Sequence, residues 1–165
     1  MLALQAHRAS GTGVVLTRSF NHTGPGQHPS FVVPALALRI AEAAASGSGE
    51  VRVGNLSAQR DLLDVTDVVR AYRVLAEAGD PGCAYNVCSG AAVAIEEVAR
   101  RLAELAGREL RLVVDPALVR AVDVPLVVGN SSRLRALGWQ PEVDLAETLR
   151  RVLDDQQAAQ GAPAG

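Results

Sequence analysis

Two segments hold residue types that suit ligand chemistry. The first is Arg18-Ser19-Phe20-Asn21-His22-Thr23-Gly24-Pro25-Gly26-Gln27, a strand end followed by two glycines around a proline and several neutral hydrogen-bonding side chains. Asn21 can both donate and accept, and glycines there would let the backbone approach a ligand closely. A binding loop and a Gly/Pro connection are equally good readings of these residues alone. The second segment runs from Gly54 to Val65 and places Arg60 in a polar loop beside Asp61, just before a helix start. A planar, permanently charged guanidinium suits a phosphate or diphosphate. A local ion pair of Arg60 with Asp61 or Asp64 competes with that role, and spacing alone favours the pair.

Other reactive types carry less. The 16 positive residues are all arginines, so any chemistry that needs a lysine must borrow it from another chain. His7, His22 and His28 come without a carboxylate set that would make a metal site. Cys83 and Cys88 border and belong to an apolar run and read as structural thiols.

The elements that would position the two segments alternate between helix and strand. A helix over Leu2 to Ala9 ends at Gly11 and Gly13, followed by a short apolar strand, Val14-Val15-Leu16, of the kind covered on both faces. A loop from Asn21 to Ser30 leads to a helix from Phe31 to Ala45, broken by Ser46-Gly47-Ser48-Gly49. A strand at Val51 and Val53, a loop over Gly54 to Asp61 and a capping residue at Asp64 or Thr66 precede a helix near Val68 to Ala78. Then follow a strand at Tyr85 to Cys88, a turn at Ser89-Gly90 and a helix from Ile95 to Ala106 that lacks a capping side chain at Ala94. A strand over Leu110 to Val114, a loop through Pro116 and Pro125, and helices near Ser132 to Leu137 and Leu145 to Leu153 complete the set. The tail from Gln156 to Gly165 reads as disordered, leaving one domain over residues 1–155. Alternation of this kind predicts an α/β fold with parallel pairing and ligands at strand ends. The strands are few for a complete doubly wound sheet.

Composition narrows the class. With 165 residues, 48% of them hydrophobic, the chain can bury one core, and its net charge of −2 with interspersed signs excludes the basic field that nucleic acid or an anionic membrane requires. No apolar run reaches membrane-span length, and the opening residues lack a secretory pattern, so a cytoplasmic location is expected. Arginine without lysine, together with abundant Ala, Gly, Val and Pro, points to a G+C-rich, bacterial source.

Taken in order, R-x-F-N-H-T-G-P-G-Q, G-N-L-x-x-x-R-D-x-x-D-V-x-D-V-V-x-A-Y and Y-N-V-C-S-G resemble the C-terminal half of an extended short-chain dehydrogenase/reductase acting on GDP-sugars. The group is that of the GDP-6-deoxy-4-keto-mannose reductases and GDP-mannose 4,6-dehydratases. The later block Leu134-Arg135-Ala136-Leu137-Gly138-Trp139-Gln140-Pro141 and Glu147-Thr148-Leu149 agree with it. The resemblance runs from Met1 to about Asp155. The dehydratases usually carry N-H-x-S-P-R-R-G where this chain reads Asn21-His22-Thr23-Gly24-Pro25-Gly26-Gln27, as the reductases do.

That resemblance implies the substrate-binding, C-terminal part of an NAD(P)-binding Rossmann enzyme, with a few residual strands and the N-terminal dinucleotide-binding sheet missing. It implies Phe20, Asn21 and His22 beside the nicotinamide of NADP or NAD. It further implies Asn21, Phe31, Val32, Asn55, Arg60 and Arg120 around a GDP-linked sugar. Phe31 and Val32 would border the base, and Arg60 and Arg120 would hold the diphosphate or ribose. The family's R-x-R-P-x-D reads Arg120-Ala121-Val122-Asp123 here, a departure at the second arginine contact.

Hydride transfer in this family also needs a glycine-rich pyrophosphate turn and a Tyr-x-x-x-Lys pair. Gly11-Thr12-Gly13 precedes a strand instead of following one, and Tyr72 and Tyr85 have Ala76 and Ser89 four residues on. The expectation is therefore a sugar-nucleotide-binding portion with no catalytic residues of its own, inactive alone and without tight cofactor binding, and with Met1 falling in mid-helix. Alternatives are a stand-alone, non-catalytic nucleotide-sugar-binding module, an epimerase or dehydratase fragment using another nucleotide sugar, and a non-functional remnant. Unpaired edges of the Val14–Leu16 strand predict either a separate N-terminal half as partner or self-association.

Overall fold

A computed structural model describes residues 2–119 and 124–161. The chain forms six helices, α1 (Leu2–Ser10), α2 (Val32–Ser46), α3 (Val65–Ala78), α4 (Ile95–Leu105), α5 (Ser132–Arg135) and α6 (Leu145–Gly161), among the described residues. Eight short strands alternate with them: β1 (Leu16–Ser19), β2 (Asn21–Thr23), β3 (Glu50–Val53), β4 (Gln59–Asp64), β5 (Ala84–Val87), β6 (Ala92–Ala94), β7 (Arg111–Val114) and β8 (Leu126–Val127). One 3₁₀ turn, Pro116–Leu118, follows β7.

Pairing is mostly parallel, as the alternation requires. β1 runs along β5 with Leu16 opposite Ala84, and β3 along β7 with Glu50 opposite Arg111. β4 is the hub: β2 lies parallel to its second half, with Asn21 opposite Leu62, while β6 (antiparallel) and β8 (parallel) flank its first half. The polypeptide changes neighbours at Phe20, whose N–H donates to the Val87 carbonyl at 3.0 Å. Before Phe20 it follows β5; after it, β4.

Two apolar clusters hold these layers together. The larger joins α2, α4 and α6 over β3, through residues such as Leu36, Ile40, Val53, Val98, Leu102, Leu149 and Val152. Each helix contributes a stripe at three- to four-residue spacing, so burial of one face stabilises all three. The smaller cluster packs Val68, Ala71 and Leu75 of α3 against Tyr85, Val87, Leu134 and Trp139. Trp139 is buried, and its indole N–H donates to the Asp67 carbonyl at 3.1 Å, which fixes the Leu137-Gly138-Trp139 turn on α3.

Several sequence expectations change. The strand placed at Val14–Leu16 forms instead at Leu16–Ser19, and its residues are half-buried to exposed rather than covered on both faces. Its partner β5 sets the register, and Val14 is used by the turn that brings Gly82 N–H to its carbonyl at 2.7 Å. The loop expected over Gly54 to Asp61 gives way to β4 from Gln59, and that expected from Asn21 contains β2. In both places charged or polar side chains hid strands that tertiary pairing creates. The tail expected to be disordered from Gln156 is helical through Gly161, because Val152, Leu153 and Gln156 are buried and carry α6 onward. Asp64, not Thr66, caps α3, accepting the Thr66 N–H at 2.8 Å, whereas Ala94 starts α4 without a side-chain cap.

Candidate functional site

The hand-over at Phe20 generates the site. Where the chain leaves β5 for β4, Asn21 and His22 enter the space between β4 and the start of α2, and a cavity of about 390 Å³ opens there. Asn21, Phe31, Val32, Asn55 and Arg60, the residues singled out around a substrate, all line it. Arg120 lies outside the described residues. A second cavity of about 460 Å³ is lined by Phe20, Asn21 and His22, the residues singled out beside a nicotinamide, together with Arg18, Ser19 and Val127. Asn21, His22, Gln27 and Phe31 line both cavities and so form their common wall.

That wall is held by neutral hydrogen bonds. Buried Thr23 donates its hydroxyl to Gln27 Oε1 at 2.7 Å, and Gln27 Nε2 donates to the His22 carbonyl at 3.1 Å. His22 Nδ1 is 3.0 Å from the Phe20 carbonyl, which fixes the ring edge that the cavities see. The two glycines of the loop have different jobs. A Cβ on Gly24 would lie 2.5 Å from Val65 Cγ1, so this position serves close packing on α3, not approach to a ligand. Gly26 has φ +77° and open space around it, and its N–H donates to Asp155 Oδ2 at 2.9 Å. Across the cavity, a Cβ on Gly54 would come within 2.5 Å of the Leu118 carbonyl, so Gly54 lets the 3₁₀ turn close over the end of β3.

Arg60 reaches the cavity from a strand. Its guanidinium donates to the carbonyls of Gln59 (2.8 Å) and Val124 (2.7 Å), which orients it along the wall. Asp61, on the opposite face of β4, is fully buried and accepts from Ser89 N, Ser89 Oγ, Gly90 N and Gly129 N at 2.6–3.1 Å. Asp64 accepts from Thr66 and Thr148, and Asp67 from Arg70, Glu142 N and Val143 N. The three carboxylates of the R-D-x-x-D-V-x-D segment are therefore anchors that tie loops and α6 to β4 and α3. The local Arg60 pair with Asp61 or Asp64 that spacing favoured is displaced by these partners and by strand alternation.

Gln27 and Arg39 escaped the sequence reading as cavity residues. Gln27 was legible only as part of the loop. Arg39 lies inside an apolar helical run, where nothing in sequence says which face meets a cavity. The tyrosine hydroxyls are engaged elsewhere, Tyr72 with Ser19 Oγ at 2.7 Å and Tyr85 with Asp80. Both cysteines are free thiols; burial, then the nearby Asp61 charge, pushes the Cys88 thiol up. Among the described residues no group of three His, Cys, Asp or Glu could hold a metal ion, and no helix is long and apolar enough to cross a membrane.

The fold matches that of known proteins. The structure of RMD from Pseudomonas aeruginosa complexed with NADPH superposes with a TM-score of 0.88 at 39% identity, over 96% of this chain and 53% of that one. This chain has the α/β architecture of the C-terminal half of an extended, Rossmann-type short-chain dehydrogenase/reductase. Residues 1–152 match the model of the GDP-mannose 4,6 dehydratase family, and the chain belongs to that family. It is 40% identical over 159 residues to the GDP-6-deoxy-D-mannose reductase of Pseudomonas aeruginosa, covering 95% of this chain and 52% of the relative. It is 36% identical over 130 residues to a putative GDP-L-fucose synthase 2 of Oryza sativa subsp. japonica, covering 78% of this chain and 37% of the relative. The chain thus spans about half the length, or less, of these curated relatives.

Proposed function

We propose that this chain is the sugar-nucleotide-binding portion of an NADP-dependent GDP-4-keto-6-deoxy-mannose reductase, able to hold a GDP-linked sugar but not to transfer hydride alone. The observation that carries this is the convergence of Asn21, Phe31, Val32, Asn55 and Arg60 on one cavity that shares a wall with a second. In this reading Arg60 holds the diphosphate, Phe31 and Val32 border the base, and the 4-keto carbon lies at the common wall beside Asn21. The reductase assignment is supported over the dehydratase by the Asn21-His22-Thr23-Gly24-Pro25-Gly26-Gln27 loop and by the 40% identity to a GDP-6-deoxy-D-mannose reductase.

The cofactor fits in part. Phe20, Asn21 and His22 line the second cavity, which suits the flat nicotinamide end of NADP or NAD. Phe20, Asn21 and His22 would hold the nicotinamide, which when bound would supply the hydride, against the wall shared with the first cavity. Proton donation to the sugar oxygen is a separate requirement. The chain contains no lysine to lower a tyrosine pKa, and the Tyr72 and Tyr85 hydroxyls are bonded elsewhere. Calorimetry with GDP-mannose, alongside an NADPH oxidation assay with a 4-keto sugar nucleotide, tests the proposal. Binding without turnover is expected; turnover by the purified chain overturns the inactive reading, and no binding overturns the site.

A second reading, an autonomous nucleotide-sugar-binding module, is favoured by one observation. The α2, α4 and α6 core is built wholly within this chain. A cooperative melt with a monodisperse monomer, stabilised by GDP-mannose, supports this reading over a part that needs a partner.

A further inference from the structure

Arg39 lines the first cavity from the inward face of α2, and its guanidinium makes no hydrogen bond or ion pair with a described residue. Asp115 feels its charge weakly, and its oxygens already accept from the Ala117 N–H at 3.0 Å and from Arg52 at 3.2 Å. Eight residues of helix separate Arg39 from Phe31, about 12 Å along the axis. Long helical side chains point back toward the N-terminus, so the guanidinium lies closer to Phe31 than that rise, and Phe31, Val32 and Arg39 line one cavity. The end of β3 and the 3₁₀ turn line the same cavity through Gly54 and Leu118: Asp115 N–H donates to the Val53 carbonyl, Leu118 N–H to the Asp115 carbonyl, and Gly54 packs on Leu118.

The requirements at Arg39 differ from those at Arg60. Asp115 is held below the usual carboxylate range by the Ala117 N–H and Arg52, and stays ionised. A fixed negative charge beside Arg39 opposes a phosphate but is indifferent to a neutral base. Leu56 and Leu118, which line the same cavity, are apolar and suit the faces of a flat ring. A planar fork of N–H donors matches two acceptors side by side. Guanine presents such an edge in O6 and N7, whereas on the corresponding edge adenine pairs an acceptor with a donor and uracil offers O4 alone.

We infer that Arg39 reads the nucleobase of the bound nucleotide sugar by donating both guanidinium arms to guanine O6 and N7, making it the residue that selects guanosine over uridine and adenosine nucleotides. The inference rests on the nucleotide-sugar reading above, with the diphosphate left to Arg60.

The test is calorimetric titration of the full chain with GDP, UDP, ADP, 7-deaza-GDP and inorganic pyrophosphate. The wild type is expected to prefer GDP over UDP and over 7-deaza-GDP, which lacks N7, by about 10-fold or more. Arg39→Lys keeps the charge and loses the fork, and Arg39→Gln loses both. Each is expected to bring GDP and UDP within about 3-fold of each other with pyrophosphate affinity unchanged, whereas Arg60→Gln weakens every ligand. Equal binding of GDP and 7-deaza-GDP by the wild type overturns the inference without any variant. So does an undiminished GDP preference in Arg39→Lys, or a loss of pyrophosphate binding in Arg39→Gln. Failure of the wild type to bind any nucleoside diphosphate overturns the nucleotide-sugar reading itself, and this inference with it.

Discussion

Arg60 and Asp61 are adjacent in β4 and work on opposite faces of it: Arg60 lines the cavity, while Asp61 is fully buried and receives four hydrogen bonds from Ser89, Gly90 and Gly129. One dipeptide thus supplies a wall of the cavity and the clamp that holds the β5 and β8 loops.

The two roles separate under mutation. Asp61→Ala strands buried donors and is expected to cost about 3–5 kcal/mol in urea unfolding, with ligand affinity lost only through unfolding. Arg60→Met is expected to change stability by under about 1 kcal/mol but to weaken GDP-mannose binding about 10- to 100-fold by calorimetry. Similar stability losses from both would contradict the division.

Gly24 and Gly26 are expected to fail for different reasons. Gly24→Ala collides with Val65 and should lose about 1–3 kcal/mol, much of it restored by Val65→Ala in a double-mutant cycle. Gly26→Ala pays for its positive φ, about 1 kcal/mol, and Val65→Ala should not relieve it. Chemical denaturation of the three single variants and the two doubles measures the difference.

Cys88 links stability to alkaline pH. Burial raises its thiol pKa above the unfolded value, so the folded state keeps its proton where the unfolded chain gives it up. The contribution is intact below the ordinary thiol pKa near 9 and lost as pH rises through the folded value. The unfolding midpoint should therefore fall as pH rises past the ordinary thiol value near 9, less steeply in Cys88→Ala. At pH 8 a thiol reagent should label half-buried Cys83 and spare Cys88 until denaturant is added.

The free edge of β1 is expected to drive self-association. Leu16 and Phe20 donate their N–H groups to β5, so by alternation Thr17 and Ser19 direct theirs away from it, and no residue of α1 is buried. Thr17→Pro removes a donor from the open edge without touching the β5 ladder. Light scattering should show concentration-dependent association of the wild type that this variant reduces; equal association of both would place the contact elsewhere.

The sequence by itself determined the α/β alternation, the helix bounds near Val32 to Ser46 and Ile95 to Leu105, the family and five residues of the cavity, because helical periodicity and side-chain type are local properties. It misplaced β1 and missed β2, β4, β6 and β8, which are two to six residues long and owe their existence to partners far along the chain. Hydrogen-bond partners in a sheet leave no mark on so short a segment. For the same reason only the tertiary structure decided that Asp61, Asp64 and Asp67 are anchors, that Gly24 serves packing, and that Arg39 faces the cavity. Each of those facts depends on what lies across from a residue, and that is fixed when the layers close.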